Sequence, residues 1–160
     1  MANRVTLQMT AVLLSAMMPF VSFAGDNSYK IRYDGGSLGD LKVGTDVKLY
    51  FDQHAISLTK SKSQVLQLPP SAILEISYGQ DVHRRVGAAI GIGVVTLGVG
   101  ALMALTKSKK HFIGITWDNQ GNKGGFAFQA DKNDYRGILA GLEGVTGKKA
   151  VDSETMKVKN

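Results

Sequence analysis

The chain has 160 residues, a formal charge of +6 and no cysteine. Without cysteine there is no disulfide, no thiol catalysis, no thiolate metal site and no lipid-modified cysteine to serve as an anchor. The positive excess is mild and argues against nucleic acid as a partner, while the length allows one domain with a real core.

Arg4 starts a short basic region, Ala11 to Met18 form an apolar run, and the small residues Ser22 and Ala24 stand just before Gly25. That order predicts a secretory signal peptide over 1–24, with an apolar region too short to span a bilayer comfortably. The mature protein is then expected to be exported, periplasmic or extracellular.

Alternating apolar and polar residues predict strands from there on. Tyr29, Ile31 and Tyr33 alternate with Lys30 and Arg32, and a glycine-rich stretch at 34–40 ends this first strand. Val47, Leu49 and Phe51 mark a second strand, and Ile56 to Thr59 return as a third to complete a hairpin. Lys60 to Ser63 read as a solvated turn, and Val65 to Leu68 as a fourth strand stopped by Pro69-Pro70. Ala72 to Tyr78 are a fifth. His111 to Trp117, rich in β-branched and aromatic residues, are a sixth. A turn-forming run at 118–124 leads into Gly125 to Gln129, a seventh.

One helix closes the pattern. Tyr135, Ile138, Leu139 and Leu142 fall on a single apolar stripe, and Asp131, Asn133 and Asp134 are the candidate caps. Gly137 and Gly141 form a small face suited to close packing on a sheet, and Gly144 is the expected stop. The charged stretch 148–160 lacks apolar periodicity and is expected to be a disordered tail. The domain is thus expected over 25–147.

Seven short strands followed by one amphipathic helix resemble the bacterial pleckstrin-homology-like and GRAM-like domains. The residues that carry the resemblance are the hairpin Val47 to Thr59, the stretch Leu68 to Ile76, the hairpin His111 to Gln129 and the helix Asp134 to Leu142. The resemblance implies a mainly β fold: a seven-stranded, partly open barrel capped by the C-terminal helix. It also implies a scaffold that binds lipid headgroups, peptides or proteins without catalysis. The chain departs from the phosphoinositide-binding pattern, because the loop between its first two strands is glycine-rich and acidic with Lys42 as its only base. Fold alone does not assign a ligand.

Between the fifth and sixth strands runs Val86 to Leu105, uncharged, with glycine at 87, 91, 93, 98 and 100. Arg84 and Arg85 precede it; Lys107, Lys109 and Lys110 follow. The length meets the requirement of a transmembrane helix, about 20 apolar residues. The small residues Gly87 and Gly91 are what packed membrane helices use. A single span, however, would part the first five strands from the last two. The barrel reading therefore requires a hydrophobic hairpin turning near Val95 to Leu97, with both basic flanks at one headgroup surface. A single span and an apolar flap folded onto the barrel are the other readings. Strand and helix both remain open for the hairpin.

Catalytic and metal signals are weak. Gly91-Ile92-Gly93 lacks the third glycine and the βαβ context of a dinucleotide loop. His54, His83 and His111 show no metal-ligand spacing, and the run at 118–124 misses the calcium-loop pattern. Ser57, His54 and Asp52 would have to form a triad within one hairpin whose neighbours alternate faces. Trp117 reads as core, or as an interfacial anchor. No cofactor and no metal are expected.

Together these features predict a non-catalytic, exported, membrane-associated binding module for a lipid surface or a protein partner. Arg84, Arg85, Lys107, Lys109 and Lys110 are the candidate headgroup-binding bases. Gly87, Gly91, Gly93, Gly98 and Gly100 are the candidate packing glycines of the insert. The alternative is a structural assembly protein that forms homo-oligomers through the insert, and an enzyme is a third class.

Overall fold

The computed structural model describes residues 28–91 and 110–153. The strands are β1 (Ser28–Gly36), β2 (Asp46–Phe51), β3 (Ile56–Lys60), β4 (Ser63–Leu68), β5 (Ile73–Tyr78), β6 (His111–Asn119), β7 (Asn122–Ala130) and β8 (Val151–Asp152). Two α-helices accompany them, α1 (Val82–Ala89) and α2 (Tyr135–Thr146), with a single 3-10 turn over Pro70–Ala72. The protein is mainly β. Its strands form one sheet in the order β4-β3-β2-β1-β7-β6-β5-β8, open between its edges among the described residues.

Every ladder in the sheet is antiparallel except the short pairing of β5 with β8. Side chains alternate across the pleat, so each strand has an inner and an outer face. Ile31, Val47, Leu49, Leu58, Ile76, Ile113, Ile115, Phe126 and Phe128 point inward and join one core with Ile138 and Leu142 of α2. The sheet bends round α2, which touches β2 towards one edge and β5 and β6 towards the other. Trp117 belongs to this core at 4% exposure. Its ring lies where a Cβ on Gly124 would come within 2.2 Å of it.

The two glycines expected to let the C-terminal helix approach the sheet do so. A Cβ at Gly141 would sit 2.1 Å from the Phe51 ring, and one at Gly137 would sit 3.2 Å from the Tyr29 hydroxyl. Tyr29 and Phe51 stack with centroids 5.5 Å apart, forming the floor on which this face of α2 rests.

Three features differ from the sequence expectation. Gly144 does not stop the helix: α2 runs to Thr146 and ends on Gly147 at φ 69°, a left-handed cap that glycine adopts without cost. Residues 148–153, expected within the tail, are tied to the domain. Glu143 accepts the Ala150 N–H at 2.7 Å, and Val151–Asp152 then lie alongside β5. Finally, a helix begins at Val82, ahead of the apolar stretch, and takes in its first residues, for which strand and helix were both open. Val86 and Gly87 are buried in α1. The expected signal peptide at 1–24 and the hairpin turn near 95–97 lie outside the described residues.

Candidate functional site

The region that carries the unusual sequence features is the seat of α1 on the outer face of the sheet. On this face β6 and β7 present Gly114, Gly125 and Ala127, a floor of small residues beside Phe112. Val82 and Val86 of α1 fill it. A Cβ at Gly114 would stand 2.5 Å from Val82 Cγ1 and 2.8 Å from Val86 Cγ2, and one at Gly125 would stand 3.0 Å from Val86 Cγ1. The helix is therefore as close as the backbone of the sheet permits. With Ile90 packed at its far end, α1 and this floor make a second, smaller core on the opposite face from α2.

Two acid–base contacts flank that core. On one side His83 Nε2 lies 2.7 Å from Asp34 Oδ2 of β1, with the imidazole edge-on to Phe112. Asp34 is buried, and neither its Oδ2 nor either ring nitrogen of His83 completes a hydrogen bond among the described residues, so the two groups are close without bonding geometry. On the other side Arg85 makes a bidentate pair with Glu75 of β5: Nε to Oε1 at 2.9 Å and a terminal nitrogen to Oε2 at 2.8 Å. Hydrogen bonding to Glu75 pushes the Arg85 guanidinium further up from its already high range. The N-terminus of α1 is tied as well. The Asp81 N–H donates to Ser153 Oγ at 3.2 Å, and the Ser153 N–H donates to the Tyr78 carbonyl at 2.7 Å.

The return strand is anchored at the same end. Gln80 donates through Nε2 to the Lys110 carbonyl at 3.0 Å, and the Gly79 N–H donates to that of Phe112 at 3.1 Å. His111 stacks on Tyr135 of α2 with centroids 3.7 Å apart and the planes 3° from parallel. The Tyr78 hydroxyl meets its Nδ1 at 2.8 Å. Arg136 covers the other part of this stack, 5.6 Å above the Tyr135 ring. Lys110 thus enters β6 from a half-exposed aromatic platform.

The predicted headgroup bases part company here. Arg84 is exposed, with Asp81 at 3.6 Å, and Lys110 is half-buried at the head of β6. Arg85 is committed to Glu75 and holds α1 down rather than projecting outward. Lys107 and Lys109 lie outside the described residues. Among the predicted packing glycines, Gly87 is buried within α1, and Gly91 at φ 69° ends that helix. Gly93, Gly98 and Gly100 lie outside the described residues. The residues that sequence reasoning missed are Asp34, Glu75, Val82 and His83. Alternation along β1 puts Asp34 on the same face as Lys30 and Arg32; the other three carry no such signal.

The weaker sequence candidates are accounted for by turns. Asp52 Oδ1 accepts the N–H groups of His54 and Ala55 at 2.7 and 2.8 Å, which holds its carboxyl below the usual carboxylate range. Asp118 Oδ1 likewise accepts the Gly121 N–H at 2.8 Å, closing the β6–β7 turn. Among the described residues no group of three or more acidic, histidine or cysteine side chains is placed to hold a metal. No family model matches the chain, and no curated protein matches it.

Proposed function

We propose that this chain is an exported, pleckstrin-homology-like binding module, held at a membrane by the apolar stretch between α1 and β6, and that it works without catalysis. The observation that carries this reading is the pairing of β5 with β6, from Ile73 opposite Trp117 to Tyr78 opposite Ile113. The chain leaves one strand and returns to its neighbour. The two roots of the stretch therefore belong to one body, and the stretch must enter and leave a bilayer from the same side. A single crossing would put β5 and β6 on opposite sides of the membrane and break this ladder and the core it covers. The close seat of α1 on Gly114 and Gly125 supports the same reading, because it gives the outgoing root a rigid base. Antiparallel order over the first seven strands, with a terminal helix filling the inner face, supports the barrel-like resemblance.

Among the described residues no helix is long and apolar enough to cross a membrane. The test therefore concerns the whole mature chain. Membranes washed in alkaline carbonate are expected to retain it, and recovery in the soluble fraction would overturn the membrane part. Exchange of Arg84, Lys107, Lys109 and Lys110 for glutamine is expected to weaken binding to anionic vesicles; Arg85 is spared because its loss would unseat α1. Large, salt-insensitive oligomers in the absence of lipid and detergent would favour assembly instead.

A further inference from the structure

The chain beyond α2 is fixed at its far end and loose where it begins. Ala150 packs against the inner core, Val151–Asp152 pair with Ser77 and Tyr78 of β5, and Ser153 is buried. Ser153 makes two ties of its own. Its N–H donates to the Tyr78 carbonyl at 2.7 Å, and its Oγ accepts the Asp81 N–H at 3.2 Å. This short strap covers the end of an edge strand, where open backbone groups invite pairing with another chain, and it holds the N-terminus of α1.

The connection to the strap is built differently. Gly147 stands at φ 69°, and Lys148 and Lys149 after it are exposed, the Lys149 side chain at 92%. Together with Ala140, Glu143 and Gly144 they border a hollow of about 380 Å³ rather than packing onto α2. Within this hinge the Lys148 N–H donates to Thr146 Oγ1 at 3.2 Å, a bond that opening would lose. The contacts that seat the strap are the Glu143–Ala150 tie, the ladder on Ser77 and Tyr78 and the bond from Asp81. All of them go to groups that a second copy presents in the same places. Glycine changes its backbone angles without steric penalty, so a swing about Gly147 gives up little that a neighbouring copy does not restore. The ladder it opens is two residues long and parallel, and the antiparallel sheet stays whole. Exchange of an identical element between copies is a recurrent route to dimers.

We propose that residues 148–153 are an exchangeable strap, and that two copies of this chain form a homodimer in which each lays its strap on the β5 edge of the other. The interaction surface is the edge at Ser77 and Tyr78 with the Asp81 amide beside it, and the partner is a second copy. The surface is separate from the apolar stretch between α1 and β6, so this dimer stands whether or not that stretch meets a membrane. The observations behind it are a buried, specifically bonded strap end and an exposed hinge with a glycine at its start.

The chain has no cysteine, so an introduced disulfide reports where the strap lies. The test uses the mature full-length protein in mild detergent. Ser77→Cys is placed in one tagged copy and Val151→Cys in a second copy with a different tag, at positions directly paired in the ladder. Ser77 is buried, which keeps a cysteine there out of reach of chance collision. After joint incubation and oxidation, a covalent heterodimer is expected on a denaturing, non-reducing gel, and its yield is expected to rise with concentration. Val151→Cys replaced by Gln64→Cys, on the exposed part of β4, is expected to give none. A single chain carrying both Ser77→Cys and Val151→Cys is expected to close on itself when dilute and across copies when concentrated. Deleting Lys148 and Lys149 from the cysteine-free chain shortens the hinge and is expected to shift the particle from monomer to dimer by light scattering. The proposal is overturned if the mixed copies give no heterodimer while the doubly changed chain closes on itself at every concentration. It is equally overturned if the Gln64→Cys control yields as much heterodimer, or if the hinge-deleted chain stays monomeric.

Discussion

Val86 of α1 rests directly on Gly114 of β6, so closely that a Cβ on that glycine would lie 2.8 Å from its Cγ2. Val82 crowds the same point from one helical turn away, at 2.5 Å. Gly114→Ala is therefore expected to push α1 off the sheet and to cost about 1–3 kcal/mol, as overpacking does. Urea unfolding measures the loss. Adding Val82→Ala to Gly114→Ala is expected to restore part of it, because the two changes share one volume; strictly additive losses would mean that α1 is not seated on this floor.

The two acid–base contacts flanking α1 differ in burial and so in consequence. Asp34 and His83 are mostly enclosed, so His83→Phe removes the polar neighbour of a buried carboxyl group and is expected to cost about 1–3 kcal/mol. Adding Asp34→Asn is expected to recover much of that. Glu75 and Arg85 keep part of their surface in water, and their coupling in a double-mutant cycle is expected to stay near 1 kcal/mol and to shrink with salt.

Two glycines of α2 are expected to respond in opposite directions. Gly141→Ala drives a methyl into the Phe51 ring and is expected to destabilise by about 1–3 kcal/mol. At Gly144 an added Cβ meets nothing within 4 Å, so alanine there gains helix propensity, up to about 1 kcal/mol. Thermal melts of the two variants decide it.

Acid is expected to loosen the fold from its surface ties. Asp46 is held below the usual carboxylate range chiefly by Lys30, Asp52 by the His54 and Ala55 N–H groups, and Glu143 chiefly by the Ala150 N–H. Each prefers its charged form when folded, so its contribution is present above the unfolded carboxylate range and is lost as pH falls through the folded value. The melting temperature is therefore expected to drop below about pH 4. Glu143→Gln is expected to soften that drop and to speed hydrogen exchange at the Ala150 amide at neutral pH.

Much of the architecture was readable from local pattern. Ile31 and Tyr33, or Val47 and Leu49, alternate because a strand turns successive side chains to opposite faces. Ile138, Leu139 and Leu142 recur because a helix brings them round to one stripe. Such rules act over a few residues, and they located seven of the strands and the closing helix from the sequence alone. The ends of elements were less legible: Gly144 and Gly147 are equally good stops locally, and it is packing on Phe51 and the Glu143–Ala150 tie that carry the helix on.

What only the tertiary structure decided lies between distant segments. The helix α1 is short, with three charged or titratable residues among its eight, and depends on a floor supplied by Gly114 and Gly125. Asp34, Glu75, His83 and Arg85 became partners only when β1, β5 and α1 were laid together. Local periodicity determines which way a side chain faces, whereas the residue it meets there depends on how strands far apart in the chain align.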